Sequence, residues 1–157
     1  MNPASRRIYL VADRAQAHFY HVQAGDPLAP SSKAKLVKAA ESLLNPLATG
    51  HDAELWSDSE SGANQGGGQT HAYDDHREQH QAEYLKRFVQ EVCEQAAKLL
   101  EAGGSLALVA DSTMLGALRA CVSQGGLARV EQVELNKNLA SLPATELQEH
   151  LSKAGLF

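Results

Sequence analysis

Two cysteines, Cys93 and Cys121, are all that this 157-residue chain contains. So small a number excludes a scaffold stapled by several disulfides, and the spacing excludes a cysteine-built zinc site. Both fall inside apolar helical patterns, where a thiol packs as a small hydrophobe, so two reduced core thiols are expected. Long hydrophobic runs are also missing. Behind Met1 to Arg7 the first apolar run, Ile8 to Ala12, has five residues, too few for the apolar part of an export signal or for a membrane span. A cytoplasmic protein with no membrane partner is therefore expected. Gly-x-Ser-x-Gly, a phosphate loop and a dinucleotide fingerprint are absent as well, and no nucleophile-and-base set stands out along the chain. No cofactor is expected. Aromatic residues make up only 5%, with a single tryptophan, Trp56. Its ring reads as an anchor for the base of a loop, ahead of a base-stacking platform.

What is present suffices for one domain: the length can bury a proper core, and 43% of the residues are hydrophobic. Arg7 to Ala12 reads as a buried strand. Asp13-Arg14-Ala15 then turns the chain, and Ala17 to Val22 alternates, with Ala17, Phe19 and His21 on one face and His18, Tyr20 and Val22 on the other. The two runs form a hairpin, and His18 and His21, pointing to opposite faces, read as strand-surface residues. Gln23 to Ser32 is turn-rich, and Lys35 to Ala40 gives a third, weaker strand for which helix is the alternative. Between Glu41 and Leu55 nothing periodic emerges.

Further on, Leu85, Phe88, Val89, Val92, Cys93, Ala96, Leu99 and Leu100 recur at spacings of three and four, the stripe of an amphipathic helix. Asp75 with Glu78 reads as its capping box, and Gly103-Gly104 as its stop, so a helix from about His76 to Ala102, roughly 40 Å long, is predicted. Ser105 to Ala110 is a central strand. Asp111 or Ser112 caps a second helix that buries Met114, Leu115, Leu118, Cys121 and Val122. Val130 to Leu135 is a last strand, and a final helix near Pro143 turns Leu147 and Leu151 inward. Strand, helix and strand, twice over, imply right-handed crossovers and parallel pairing beside the first hairpin. The prediction is a single α/β domain, residues 1–157, with a mixed sheet, one long helix and two shorter ones.

From Trp56 to His80 the chain has no hydrophobic period but is rich in glycine and histidine. A loop this long inside a compact domain needs a reason, and function is the usual one, so residues 51–75 are taken as a flexible functional loop. Gly66, Gly67 and Gly68 allow close backbone approach to another molecule, and Gln69 follows with a neutral amide. Charge is concentrated here too. From His51 to His80 seven acids (Asp52, Glu54, Asp58, Glu60, Asp74, Asp75, Glu78) face one base, Arg77, against a whole-chain net charge of -5. Such a stretch repels RNA unless a cation or another chain compensates. Arg14 and Lys137, both at strand ends, can hold one of its acids, such as Asp58, in an ion pair.

A metal reading draws on His76 and His80, four apart on one helix face, with Glu83 near and His71 and Asp74 approaching from the loop. The string His76-Arg77-Glu78-Gln79-His80 is not the metalloprotease motif, because the glutamate would have to follow the first histidine directly. A solvated first turn, sensitive to pH, is the expected reading, and no metal site is assigned.

Gly67-Gly68-Gln69 just before a long helix resembles the Gly-Gly-Gln loop in the middle domain of archaeal and eukaryotic peptide-chain release factors. A wider set of motifs is similar to the bacterial host-attachment protein family. Those motifs are Ala12-Asp13-Arg14-Ala15, Ser57-Asp58, Gly66 to Gly68 with His71, Asp75 to Glu78, Lys137-Asn138-Leu139 and Leu142-Pro143-Ala144-Thr145-Glu146-Leu147. The chain departs from that pattern at Gln69, where a basic residue is common, at Asn138 in place of Asp, and at His76 in place of Pro. The resemblance spans nearly the whole chain. It implies the release-factor middle-domain fold, a binding module linked to the ribosome or to tRNA with a protein partner, and only an indirect part in attachment to host cells. As the alternative it implies hydrolysis of peptidyl-tRNA or a related ester, with Gln69 as the catalytic residue and Gly66, Gly67, Gly68, His71, Asp58, Arg14 and Lys137 around it.

Overall fold

The computed structural model describes residues 6–29, 31–46, 70–125 and 127–157, with side chains of the first helix described from Gln79 onward. Among the described residues six strands and three helices follow one another as β1 (Arg7–Ala12), β2 (Gln16–Gln23), β3 (Lys35–Lys38), β4 (Leu43–Leu44), α1 (Thr70–Leu99), β5 (Ser105–Ala110), α2 (Ser112–Gln124), β6 (Glu131–Asn136) and α3 (Ala144–Lys153). The predicted mixed sheet with one long helix is what the chain forms.

Strand order is β3-β2-β1-β5-β6, with β4 also paired to β2. β1 and β2 are the expected hairpin, antiparallel with Leu10 opposite Phe19. Asp13 makes their turn, because its Oδ1 accepts from the amides of Ala15 and Gln16 at 2.7 and 2.9 Å and so replaces ladder bonds that the reversal cannot make. β1 pairs with β5, and β5 with β6, in parallel. The two crossovers that parallel pairing demands are α1 and α2.

Both faces of the sheet are covered. Ile8, Leu10, Phe19, Leu106 and Leu108 point to one side, where Phe88, Val92 and Ala96 of α1 and Met114, Leu115 and Leu118 of α2 close over them. Tyr9, Val11, Tyr20, Ala107 and Val109 point to the other, under Leu147 and Leu151 of α3. The central strands β1 and β5 are buried on both faces, which is why they read as unbroken apolar runs. Of the two proposed caps for α2 the chain uses Asp111, whose carboxylate accepts from the Met114 amide at 2.8 Å. A bidentate Arg119–Glu134 pair, both contacts 2.7 Å, ties α2 to β6, and the guanidinium bonds hold the Glu134 carboxyl below the usual carboxylate range.

Four expectations are corrected. α1 starts at Thr70, five residues before the proposed capping box, so Asp75 lies within the helix and the last part of the supposed loop is helical. Nothing from Thr70 to Tyr73 opposes a helix, and the glycines that do oppose one end at Gly68. β3 stops at Lys38, and a short β4 occupies Leu43–Leu44, a stretch with no period to betray it. Pro143 is the N-cap of α3 and stands outside the first turn. Cys93 and Cys121 are paired across the contact of α1 with α2, their Cα atoms 6.5 Å apart, where two free thiols were expected. Each cysteine shows only that it lies on an apolar stripe; that the two stripes face each other is a fact of the tertiary fold.

Candidate functional site

In a sheet whose strands run parallel, ligands are met beyond the carboxyl ends, where chain segments leave to opposite sides. The pairing of Val11 with Val109 and of Ala110 with Asn136 brings the ends of β1, β5 and β6 to one edge. Arg14, Asp111 and Lys137 therefore stand along that edge, each just past its strand. Arg14 and Lys137 are exposed, and among the described residues no ion pair engages either of them. The backbone below Arg14 is held by Asn45, a buried polar residue, whose Nδ2 donates to the Arg14 carbonyl at 2.9 Å and whose amide donates to Ala15 at 2.8 Å. Asn45 and Pro46, the last described residues before 47–69, thus stand at the same edge.

The described chain resumes at Thr70 as α1. The 30 residues of α1 span about 45 Å, whereas a six-residue strand spans roughly 20 Å. Among the described side chains of α1 the buried ones run from Phe88 to Ala96, Leu100 just past its end is buried too, and Gly103-Gly104 lead directly into the start of β5. The helix therefore uses its second half to cover the sheet and carries its first half beyond the carboxyl edge. On that overhang His80 is exposed and stacks on Tyr84 with ring centroids 4.9 Å apart, while Arg87 lies over the same ring and binds Glu83 at 2.8 Å. Trp56, Asp58 and Gly66 to Gln69 lie outside the described residues, as do the side chains of His71, Asp74 and His76. Among the described residues no cluster of three metal-binding side chains occurs.

A second group of side chains was not visible in the sequence. β3 and β4 are two pieces of one edge strand on β2: Lys38 pairs with Tyr20 and Leu43 with Ala17, so four residues of the edge oppose two of β2. Edge bulges of this kind re-aim side chains. Here the bulge lays Ser42 on His18, with Oγ 2.5 Å from Nδ1, and Lys38 Nζ donates to the same Oγ at 3.0 Å. The other ring nitrogen of His18 meets Gln16 Oε1 at 3.0 Å. Beside them a cavity of about 550 Å³ opens between β2, β3 and the start of α3, lined by His18, Tyr20, Lys38, Leu142 and Pro143 among others. The alternation in β2 had given the face of His18 correctly, but Ser42 is 24 residues away and no local signal couples them.

Burial pushes the His18 imidazole below its ordinary value, and the Lys38 ammonium adds to the effect; the Ala140 carbonyl and Asp13 pull weakly the other way. Burial also pushes the Tyr20 phenol up. For a histidine held neutral in the fold the unfolded chain binds the proton more readily, so the His18 contribution is complete above about pH 6.5 and is lost as pH falls through the window below it. A urea series at pH 7.5 and pH 5 should show a loss of stability for the wild type that His18→Gln reduces. An unchanged pH dependence in the variant would remove His18 as the cause.

The match to known proteins comes from the chain as a whole. The family described as "protein required for attachment to host cells" matches residues 8–151, which reaches every described strand and helix and leaves out only Arg7 of β1 and the last two residues of α3. The chain belongs to this family. No curated protein and no solved structure matches it. The family match includes Arg14, Lys137, the segment 47–69 and the projecting half of α1, so the carboxyl edge belongs to the family domain. Among the described residues no helix is long and apolar enough to cross a membrane.

Proposed function

We propose that this host-attachment family protein is a cytoplasmic docking module for a ribosomal or RNA-linked particle, with only an indirect effect on attachment to host cells. The supporting observation is the start of α1 at Thr70, immediately after Gln69. A Gly-Gly-Gln segment leading straight into a long helix is the arrangement that the release-factor middle domain would have. The docking surface is the carboxyl edge: Arg14, Lys137, the segment with Gly66 to Gln69, and the overhanging start of α1. Seven acids between His51 and His80 favour a basic protein surface of the particle over bare RNA. Arg14 and Lys137 hold the segment at the edge by pairing with its acids, Asp58 included.

Cell lysate run on a sucrose gradient tests this. The wild type is expected to travel with ribosomal particles, and a variant with Gly66, Gly67 and Gly68 all replaced by Ala should stay at the top. Wild type remaining at the top would end the ribosomal reading. The same position of Gln69 supports a second reading, hydrolysis of peptidyl-tRNA through Gly67-Gly68-Gln69, in which the amide orients water against the ester. Release of labelled peptide from purified peptidyl-tRNA separates the two, since docking alone leaves the ester intact.

A further inference from the structure

We propose that Ser42, His18 and Lys38 form an acyl-transfer site that hydrolyses esters of short aliphatic acids, at a place on the molecule separate from the carboxyl edge. Three requirements of such a site are met. A nucleophile needs a base in hydrogen-bond contact, and Ser42 Oγ lies 2.5 Å from His18 Nδ1. The base needs its lone pair on the nitrogen that faces the nucleophile. Gln16 Oε1, 3.0 Å from Nε2, accepts from that nitrogen and so leaves Nδ1 free to accept from the serine hydroxyl. A cation is needed where negative charge develops, and Lys38 Nζ is 3.0 Å from Oγ. The adjoining cavity has apolar walls from Leu36, Leu142 and Pro143, of a size for a small acyl chain.

The step balances without any outside reagent other than water. Oγ attacks the ester carbonyl carbon while its proton passes to Nδ1, and the carbonyl oxygen becomes an oxyanion facing the Lys38 ammonium. Collapse breaks the bond between the carbonyl carbon and the alkoxy oxygen, and Nδ1 returns the proton to the leaving alcohol. Water then attacks the acyl-Ser42 ester, giving its proton to Nδ1. The acid departs, and Oγ takes the proton back.

Around the imidazole stand Lys38 from β3, Asp13 from the β1–β2 turn, the Ala140 carbonyl from the connection before α3, and Tyr20 on its own strand at 6.3 Å between ring centroids. The neutral ring is the active form, so the rate should rise with pH and level off before neutrality. Gln16 is a positioning residue. Gln16→Glu places a carboxylate against Nε2 and should move the midpoint of the pH profile upward, an effect that a purely structural contact would not have.

The test uses the purified full chain with p-nitrophenyl acetate as substrate and a fluorophosphonate as covalent probe, located by peptide mass spectrometry. The wild type is expected to turn over the ester and to carry the probe on Ser42. Ser42→Ala and His18→Gln should each lose about 100-fold or more in rate, the usual worth of a nucleophile or general base, while Ser123→Ala on the exposed side of α2, away from the cavity, keeps the activity. Circular dichroism of each variant guards against unfolding, and labelling of the unmodified chain decides the matter even if a variant fails to fold. A wild type no faster than Ser42→Ala, or a probe absent from Ser42, would overturn the proposal, and neither outcome bears on ribosomal docking.

Discussion

Phe88→Ala should remove about 3 to 5 kcal/mol of stability, the usual cost of deleting a buried aromatic ring. Phe88 is 2% exposed and is the first fully buried side chain among those described in α1, at the point where the helix meets the sheet. Among the described side chains of α1 that precede it, only Leu85 also packs on the core, half-buried, so the ring marks where the helix seats on the sheet. A domain of this size holds only about 5 to 15 kcal/mol in total. The loss is therefore a large share, and the urea midpoint should fall markedly, while Gln90→Ala, on the exposed side of the same helix, leaves it almost unmoved. Equal midpoints for the two variants would mean that α1 is not seated on the sheet through Phe88.

Gly104→Ala should cost nearly as much by a different route. Gly104 has φ +131°, and an added Cβ would stand 2.4 Å from the Arg6 carbonyl oxygen. That oxygen already accepts from the Ser105 amide at 2.8 Å, the bond that begins the pairing of β1 with β5. The methyl group must therefore push apart the two central strands at their first rung. Gly103→Ala serves as the control, since its φ is also positive, +100°, but no atom lies within 4 Å of the added carbon. Strain alone accounts for about 1 to 2 kcal/mol there, and about 3 kcal/mol or more is expected at Gly104. Thermal unfolding of both variants reads the difference. Equal losses would show that backbone strain, and not the clash with Arg6, limits this turn.

How far the sequence carried the fold depends on which signals are local. Ile8 to Ala12 and Leu106 to Ala110 are apolar runs flanked by turn residues, and strands buried on both faces have no other way to look. The stripe from Leu85 to Leu100 and the cap at Asp111 are equally local, and both stand as read. What escaped was set by partners distant in sequence. Leu43 and Leu44 form a strand only because β2 offers them Ala17 and Gln16. Thr70 to Asp74 carry no apolar stripe, and so the helix start could not be found from periodicity.

The candidate sites divide in the same way. Arg14 and Lys137 could be placed at strand ends from the sequence, and the parallel order of β1, β5 and β6 then brings them to one edge. The contact of Ser42 with His18 required the bulge between β3 and β4, for which neither residue carries a local signature.

The carboxyl edge, with Arg14 and Lys137, is proposed to dock on ribosomal particles. Pelleting the purified chain with salt-washed ribosomes through a sucrose cushion tests it most directly. The comparison is between wild type, the double charge reversal Arg14→Glu with Lys137→Glu, and Lys153→Glu at the last residue of α3. Wild type and Lys153→Glu are expected in the pellet and the double variant in the supernatant; all three pelleting alike, or none pelleting, would contradict docking through this edge.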